Sequence, residues 1–212
     1  MNYEKFTRYT QRALATVYSE PENTYHADLI PEMVKTFFSP MNLPTHCYIL
    51  DIGCGGGLFM TLMKDAGYVN TVGITFSQDD AEVAGEKGHT IIRSDMSDMP
   101  IPDGMVDFIW CRHALEHSPY PLLTLYEFDR VLKAGGKMYV EVPCPDQHRL
   151  QEANPNHYSV LGNMMWVILF EKAGFKVTQA NTVTLELSEG DKPFKESYFC
   201  FMVEKNAGAQ QG

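Results

Sequence analysis

The residues best suited to chemistry lie in one short stretch, Ile49-Leu50-Asp51-Ile52-Gly53-Cys54-Gly55-Gly56-Gly57-Leu58-Phe59. An apolar β-type run enters a glycine-rich turn and leaves it as a helical pattern, which places a ligand on the turn. Missing side chains let the main chain approach a ligand closely, and the start of the next helix adds N–H donors for a carboxylate or another anion. Spacing narrows the ligand. A dinucleotide fingerprint needs G-x-G-x-x-G, and counting from Gly53 puts Leu58 where the third glycine belongs. The nicotinamide reading fails there, and it fails again at Thr75, where the ribose of NAD would prefer an acid. What stands is Asp51-x-Gly53-x-Gly55-x-Gly57. A second reactive stretch is Cys111-Arg112-His113-Ala114-Leu115-Glu116-His117. His113 is suited to taking a proton from a hydroxyl or phenol near neutral pH. His117 and Glu116 read either as a second such site or as a polar pair fixing the loop, and Arg112 as a contributor of main-chain carbonyl or as a solvated charge.

These residues need a frame, and the chain supplies an α/β one. Before residue 45, Phe6, Tyr9, Ala13, Leu14, Val17 and Tyr18 recur at helical spacing, as do Leu29, Ile30, Met33, Val34, Phe37 and Phe38. Asp28 is placed to cap the second helix with Pro31 in its first turn. From Cys47 onward β-rich runs alternate with helical ones: strands at 47–52, 71–75, 90–93, 106–111 and 137–142, helices at 58–66, 78–87, about 122–133 and 160–172. Alternation of this kind means a parallel sheet with helices on both faces. Gly67, Gly88, Gly135 and Gly174 stand where helix C-caps belong. After Gly174 two strands, 176–187 and 196–204, follow without a helix, which predicts an antiparallel hairpin at the sheet's edge. In such sheets ligands lie beyond the carboxyl ends of the strands, so the residues after the fourth strand face the chemistry. Met164, Met165, Ile168 and Leu169 read as core residues of the last helix, and His157 as a residue of the loop before it. The expected division is a helical lid segment over 1–44, a ligand-binding domain over 45–205 and a disordered tail over 206–212.

The Asp51 to Gly57 run resembles motif I of the class I S-adenosylmethionine-dependent methyltransferases, and further runs extend the likeness over residues 47 to 204. Leu115-Glu116-His117 followed by Glu127-x-x-Arg130-Val131-Leu132-Lys133-x-Gly135-Gly136 is similar to the region around strands 4 and 5 of the small-molecule branch. Glu171-Lys172-Ala173-Gly174-Phe175 looks like the end of the last helix. The resemblance implies a Rossmann-like sheet of seven strands, mostly parallel with an antiparallel C-terminal strand. It implies S-adenosylmethionine as cofactor, its methionine end oriented by Asp51 and approached by Gly53, Gly55 and Gly57. A zwitterionic tail suits that pairing, with its ammonium to the acid and its carboxylate to the N–H groups. The family usually ends strand 2 with an acid for the ribose, whereas this chain has Thr75 in Gly73-Ile74-Thr75-Phe76-Ser77-Gln78. That run is similar to the cyclopropane-synthase-like branch, which implies Thr75 and Gln78 as ribose ligands and leaves Ser77 as a helix cap. Asp95 and Met96 are implied at the adenine, and Arg112 at the cofactor's ammonium. Asp98 and Asp103 read as solvated loop acids.

Composition excludes several partners. Seventeen basic against twenty-seven acidic residues leave a net charge of −10, which repels nucleic-acid phosphates and anionic lipid surfaces. No Asn-Pro-Pro-Tyr or Asp-Pro-Pro-Tyr run follows strand 4, so a small-molecule acceptor is expected. Five widely spaced cysteines with no C-x-x-C pair predict reduced thiols and a cytoplasmic setting, and no metal ligands are assigned from the sequence. The longest apolar run, 164–170, falls far short of the roughly 20 residues of a spanning helix. Methyl transfer to O, N or C of a small molecule is the first reading. A catalytically silent S-adenosylmethionine-binding partner protein is the second.

Overall fold

Strand β1 (Tyr48–Ile52) is apolar on both faces, with Ile49 and Leu50 fully buried, the composition of a strand covered by helices on either side. In the computed structural model, which describes residues 3–14, 24–190 and 192–208, it stands inside a seven-stranded sheet. Helices α1 (Tyr3–Leu14) and α2 (Thr24–Met33) precede it. There follow α3 (Leu58–Asp65), β2 (Asn70–Thr75), α4 (Gln78–Glu86), β3 (Thr90–Arg93), β4 (Val106–Arg112), α5 (Pro121–Val131), β5 (Leu132–Pro143), α6 (Asn163–Lys172), β6 (Phe175–Glu189) and β7 (Lys192–Lys205). The strand order is β3-β2-β1-β4-β5-β7-β6, and β7 alone runs against the rest. The order reverses between β1 and β4, so the crevice for a ligand opens at their carboxyl ends.

Period-two alternation sorts the strand residues onto two cores. Leu50, Ile52, Ile109, Cys111, Met138, Val140 and Phe201 join Phe128, Trp166 and Phe170 on one face. Ile49, Phe108, Trp110, Tyr139 and Cys200 join Phe37, Phe38 and Phe59 on the other. Phe59 stacks on Trp110 at 4.5 Å and Trp110 on Tyr139 at 4.4 Å, a ladder of rings that runs across β4 and β5.

Several local expectations are corrected. Helix α2 starts at Thr24, so Asp28 is not its cap and Pro31 lies well inside it; a proline there donates no hydrogen bond, and the helix relaxes into a π-helical turn at Val34–Phe38. That turn buries Phe37 and Phe38 against the sheet, which makes the second half of the expected lid part of the core. Val17 and Tyr18 lie outside the described residues. Helix α5 ends at Val131, four residues before Gly135, and β5 begins directly, so Gly135 (φ 74°) is no helix cap. Met164 and Met165 are 69% and 49% exposed, because the buried stripe of α6 is carried by Trp166 and Phe170. Asn206, expected in a disordered tail, donates from Nδ2 to the Gly174 carbonyl at 2.7 Å; residues 209–212 lie outside the described residues. All five cysteines are buried free thiols, and desolvation pushes Cys47 up to about 11. Among the described residues no helix is long and apolar enough to cross a membrane.

Candidate active site

Beyond β1 the main chain leaves the sheet at once. The N–H groups of Gly53 and Cys54 both donate to the Ile74 carbonyl, at 2.9 and 3.2 Å, and the Gly57 N–H closes the turn on Cys54 at 2.9 Å. Gly53, Gly55 and Gly57 have φ of 69°, 47° and 79°, the left-handed region that costs an L side chain strain. The three differ in what surrounds them. A Cβ on Gly53 would lie 2.7 Å from Ala114 Cβ and one on Gly57 2.7 Å from the His89 ring, whereas one on Gly55 would meet nothing within 4 Å. Gly53 and Gly57 are therefore demanded by packing, and Gly55 borders open space. Gly53→Ala is expected to cost about 1–3 kcal/mol through overpacking, whereas Gly55→Val meets no neighbouring atom, carries only the backbone strain of a β-branched residue at φ 47° and removes donor binding. Thermal melts and calorimetry of both variants separate the two effects.

Asp51 stands at the carboxyl end of β1, beside Trp110 in the sheet, and is 3% exposed. Desolvation pushes its carboxyl up to about 8. A buried acid of that kind gains from an ammonium brought to it. Gly55, four residues along the chain from this acid, borders open space, and the first turn of α3 offers N–H groups to an anion.

The other expected cofactor ligands spread along the same edge. Thr75 is buried at the end of β2, and its Oγ1 accepts from the Ser77 N–H at 3.1 Å. Ser77 caps α4 by accepting from Asp80 N–H at 3.2 Å. Gln78 is exposed; its amide donates to Glu82 at 2.6 Å and its carbonyl oxygen accepts from Arg93. Reaching a ribose would require that amide to exchange partners. Asp95 is half-buried, its Oδ1 accepting from Ser97 N–H at 2.8 Å, and Met96 packs against the first core. Asp98 and Asp103 are both exposed, as expected, and Asp103 also pairs with Arg130 at 2.6 Å.

The end of β4 carries a buried charge network. Arg112 is no solvated charge: its Nε lies 2.9 Å from Glu141, the residue opposite it on β5. His113, in a left-handed conformation (φ 52°), places Nε2 2.8 Å from Glu141 and Nδ1 3.6 Å from Glu116. The Tyr139 hydroxyl donates to the second Glu141 oxygen at 2.6 Å. Burial and Arg112 push the His113 pKa down, but the two carboxylates outweigh them and raise it. Desolvation pushes Glu141 up, yet His113 and Arg112 win and its carboxyl falls to about 2. Glu141, Tyr139 and Tyr198, whose ring meets His113 edge-on at 4.8 Å, escape a reading of the sequence alone. The one available signal is a glutamate inside the apolar run Met138-Tyr139-Val140-Glu141-Val142, where a charge is retained only if paired. His117 lies one turn on, its ring 4.7 Å from that of His157.

Known proteins resemble this arrangement. The family described as "Methyltransferase domain" matches residues 50–140. Uncharacterized protein MJ0638 of Methanocaldococcus jannaschii is 30% identical over 156 residues, covering 74% of this chain and 67% of its own. The 27-O-demethylrifamycin SV methyltransferase of Amycolatopsis mediterranei is 26% identical over 153 residues, 64% of this chain and 56% of its own. The chain thus spans about two thirds or less of these relatives. Among solved structures, one from the complex between the Haloferax volcanii Trm112 methyltransferase activator and a methyltransferase superposes with a TM-score of 0.75 at 17% identity, covering 98% of this chain and 99% of that one.

Proposed function

Because the chain belongs to the class I S-adenosylmethionine-dependent methyltransferases, we propose that it transfers the donor's methyl group to an oxygen, nitrogen or carbon of a small-molecule acceptor. The observation that carries this reading is the buried Asp51 carboxyl beside the open face of Gly55, at the point where the strand order reverses. S-adenosylmethionine supplies an electrophilic methyl on a sulfonium. Asp51 takes the ammonium, joined by the Arg112 carbonyl; the turn around Gly53, Gly55 and Gly57 takes the carboxylate; Thr75 and Gln78 take the ribose; Asp95 and Met96 take the adenine. The acceptor's lone pair forms the new bond to carbon as the carbon–sulfur bond breaks, and a hydroxyl acceptor also gives up its proton. Most of the acceleration comes from holding the acceptor in line.

His113 is the proposed proton acceptor, with His117 as the weaker candidate. With Nε2–H donating to Glu141, the neutral ring keeps its lone pair on Nδ1 to take the proton, and Glu116, 3.6 Å from Nδ1, stabilises the imidazolium so formed. His113→Asn keeps a residue type that tolerates the left-handed backbone. It is expected to lower turnover by about 10²–10⁴-fold and to change donor affinity only a few-fold. Single-turnover assays against a panel of hydroxyl, phenol and amine acceptors, alongside donor calorimetry, check both numbers. Donor binding without S-adenosylhomocysteine formation on any acceptor would establish the second reading, a silent binder, which the engagement of Gln78 with Glu82 and Arg93 favours.

Helix α1 is proposed as the lid. Phe6 packs on Tyr120 at 5.8 Å, just past the network at the end of β4. An aromatic pair holding a closed state contributes about 0.5–1.5 kcal/mol, so Phe6→Ala is expected to lower acceptor kcat/KM by roughly 2- to 10-fold with little change in melting temperature. Unchanged kcat/KM would dismiss the lid.

A further inference from the structure

The loop between β5 and α6 brings His157 to Glu116 and His117, which lie just past the end of β4. Glu116, His117 and His157 each offer one ligand atom, and these atoms lie within 4.8 Å of one another. His117 Nδ1 lies 3.2 Å from the Asn156 carbonyl, and His157 Nδ1 lies 2.8 Å from the Gln151 carbonyl. A carbonyl only accepts, so each Nδ1 carries the hydrogen and the lone pair of each neutral ring resides on Nε2. A backbone carbonyl on the far ring nitrogen is the contact that orients imidazoles toward a metal. Glu116 is 1% exposed, and its Oε2 is buried with no hydrogen-bond partner among the described residues. A buried carboxylate oxygen left in that state calls for a cation.

The loop that brings His157 here is fixed in place. The N–H groups of Tyr158 and Ser159 both donate to the Glu116 carbonyl, at 2.9 and 3.0 Å, and Asn156 N–H donates to Asn154 Oδ1 at 2.9 Å. We propose that Glu116, His117 and His157 form a binding site for one divalent transition-metal ion. Two imidazoles and one carboxylate suit zinc, manganese or ferrous iron over magnesium or calcium, which favour oxygen ligands alone. Bonds of about 2.0–2.2 Å require the three groups to close by roughly 1 Å. In closing, His157 exchanges its 3.3 Å contact with the Asn154 amide for the ion. Cysteine spacing carries no metal signature; the ligands are adjacent residues on one turn and a third from a distant loop, a set no local spacing reveals.

Untagged full-length protein, stripped with a chelator and dialysed, is titrated with Zn²⁺ by calorimetry and with Co²⁺ by visible absorption. One ion per chain is expected. His117→Ala, His157→Ala and Glu116→Gln should each weaken binding by at least about 10-fold, and Zn²⁺ should raise the melting temperature of the wild type but not of these variants. His157→Asn, a conservative change on a loop, covers the case in which Glu116→Gln fails to fold. An absent stoichiometric ion, or affinity unchanged by both histidine substitutions in folded protein, would overturn the site. S-adenosylmethionine binding measured on the same preparations stands apart from this result, since it reads Asp51.

Discussion

Replacing Asp51 with asparagine is expected to raise the melting temperature of the ligand-free protein and, on the proposed role of Asp51, to remove most of its affinity for S-adenosylmethionine. The carboxyl is buried at the end of β1, and desolvation holds it at about 8, far above an ordinary aspartate. The folded state therefore binds this proton more tightly than the unfolded state does. Its contribution to stability is complete below the unfolded value near 4 and is lost as pH rises toward 8, at up to about 1.4 kcal/mol for each pH unit between them. Asparagine carries no such liability. The gap in melting temperature between variant and wild type should open between pH 4 and pH 8 and stay constant above, with roughly 2–4 °C for each kcal/mol. Binding the donor's ammonium requires the ionised acid, so calorimetry at pH 6.5 in buffers of different ionisation enthalpy should show close to one proton released. Losing one partner of a buried charge pair costs about 2–5 kcal/mol, or roughly 30- to several-thousand-fold in affinity. A variant that binds the donor like the wild type removes Asp51 from the site.

The second large effect is structural. Glu141→Ala takes the common partner from Arg112, His113 and Tyr139, which approach it at 2.9, 2.8 and 2.6 Å. Breaking a buried ion pair by deleting one side costs about 3–5 kcal/mol, and the melting temperature should fall by roughly 6–20 °C. Glu141→Gln retains an acceptor for Tyr139 and should fall less. The pH dependence has the opposite sign to that of Asp51. Neighbouring cations hold the Glu141 carboxyl down at about 2, so its contribution is present above the ordinary glutamate value and is lost as pH falls toward 2. Melts from pH 6 down to pH 2 should therefore converge for the glutamine variant and the wild type. A melting temperature within 2 °C of wild type for the alanine variant would show the network to be incidental.

The glycine turn was legible because its requirements are local: a strand, a tight bend and a helix start lie within eleven consecutive residues. The sheet was legible for a similar reason, since alternation of apolar runs with helical periods is written residue by residue. Glu141 was not, because what draws it into the network is its register against Arg112 on another strand and the hydroxyl of Tyr139 two residues away. His157 presents the same difficulty, for its neighbours Glu116 and His117 are about forty residues distant in the chain and are joined to its loop by contacts of Asn156, Tyr158 and Ser159. Met164 and Met165 misled by spacing: a helical recurrence shared with Ile168 and Leu169 placed them inside, whereas the buried stripe of α6 runs through Trp166 and Phe170. The exchange of an acid for Thr75 was visible at once, but its cost depends on Gln78, which Glu82 and Arg93 engage on the surface of α4.

The β6–β7 hairpin continues past the last residue of β5, with Thr184 to Glu189 paired to Lys192 to Ser197. It rises there as a parapet above the carboxyl ends of the strands, braced by Phe194 against His148 and by Gln151 against Glu196. Side chains along a ribbon of this kind point alternately to its two sides. Adding one residue to each arm would turn the upper half inside out, whereas adding two would heighten the rampart and keep every inward group facing inward. The reach of the hairpin beyond β5 can therefore change in fixed increments while the glycine turn after β1, a strand flanked by β2 and β4, stays untouched.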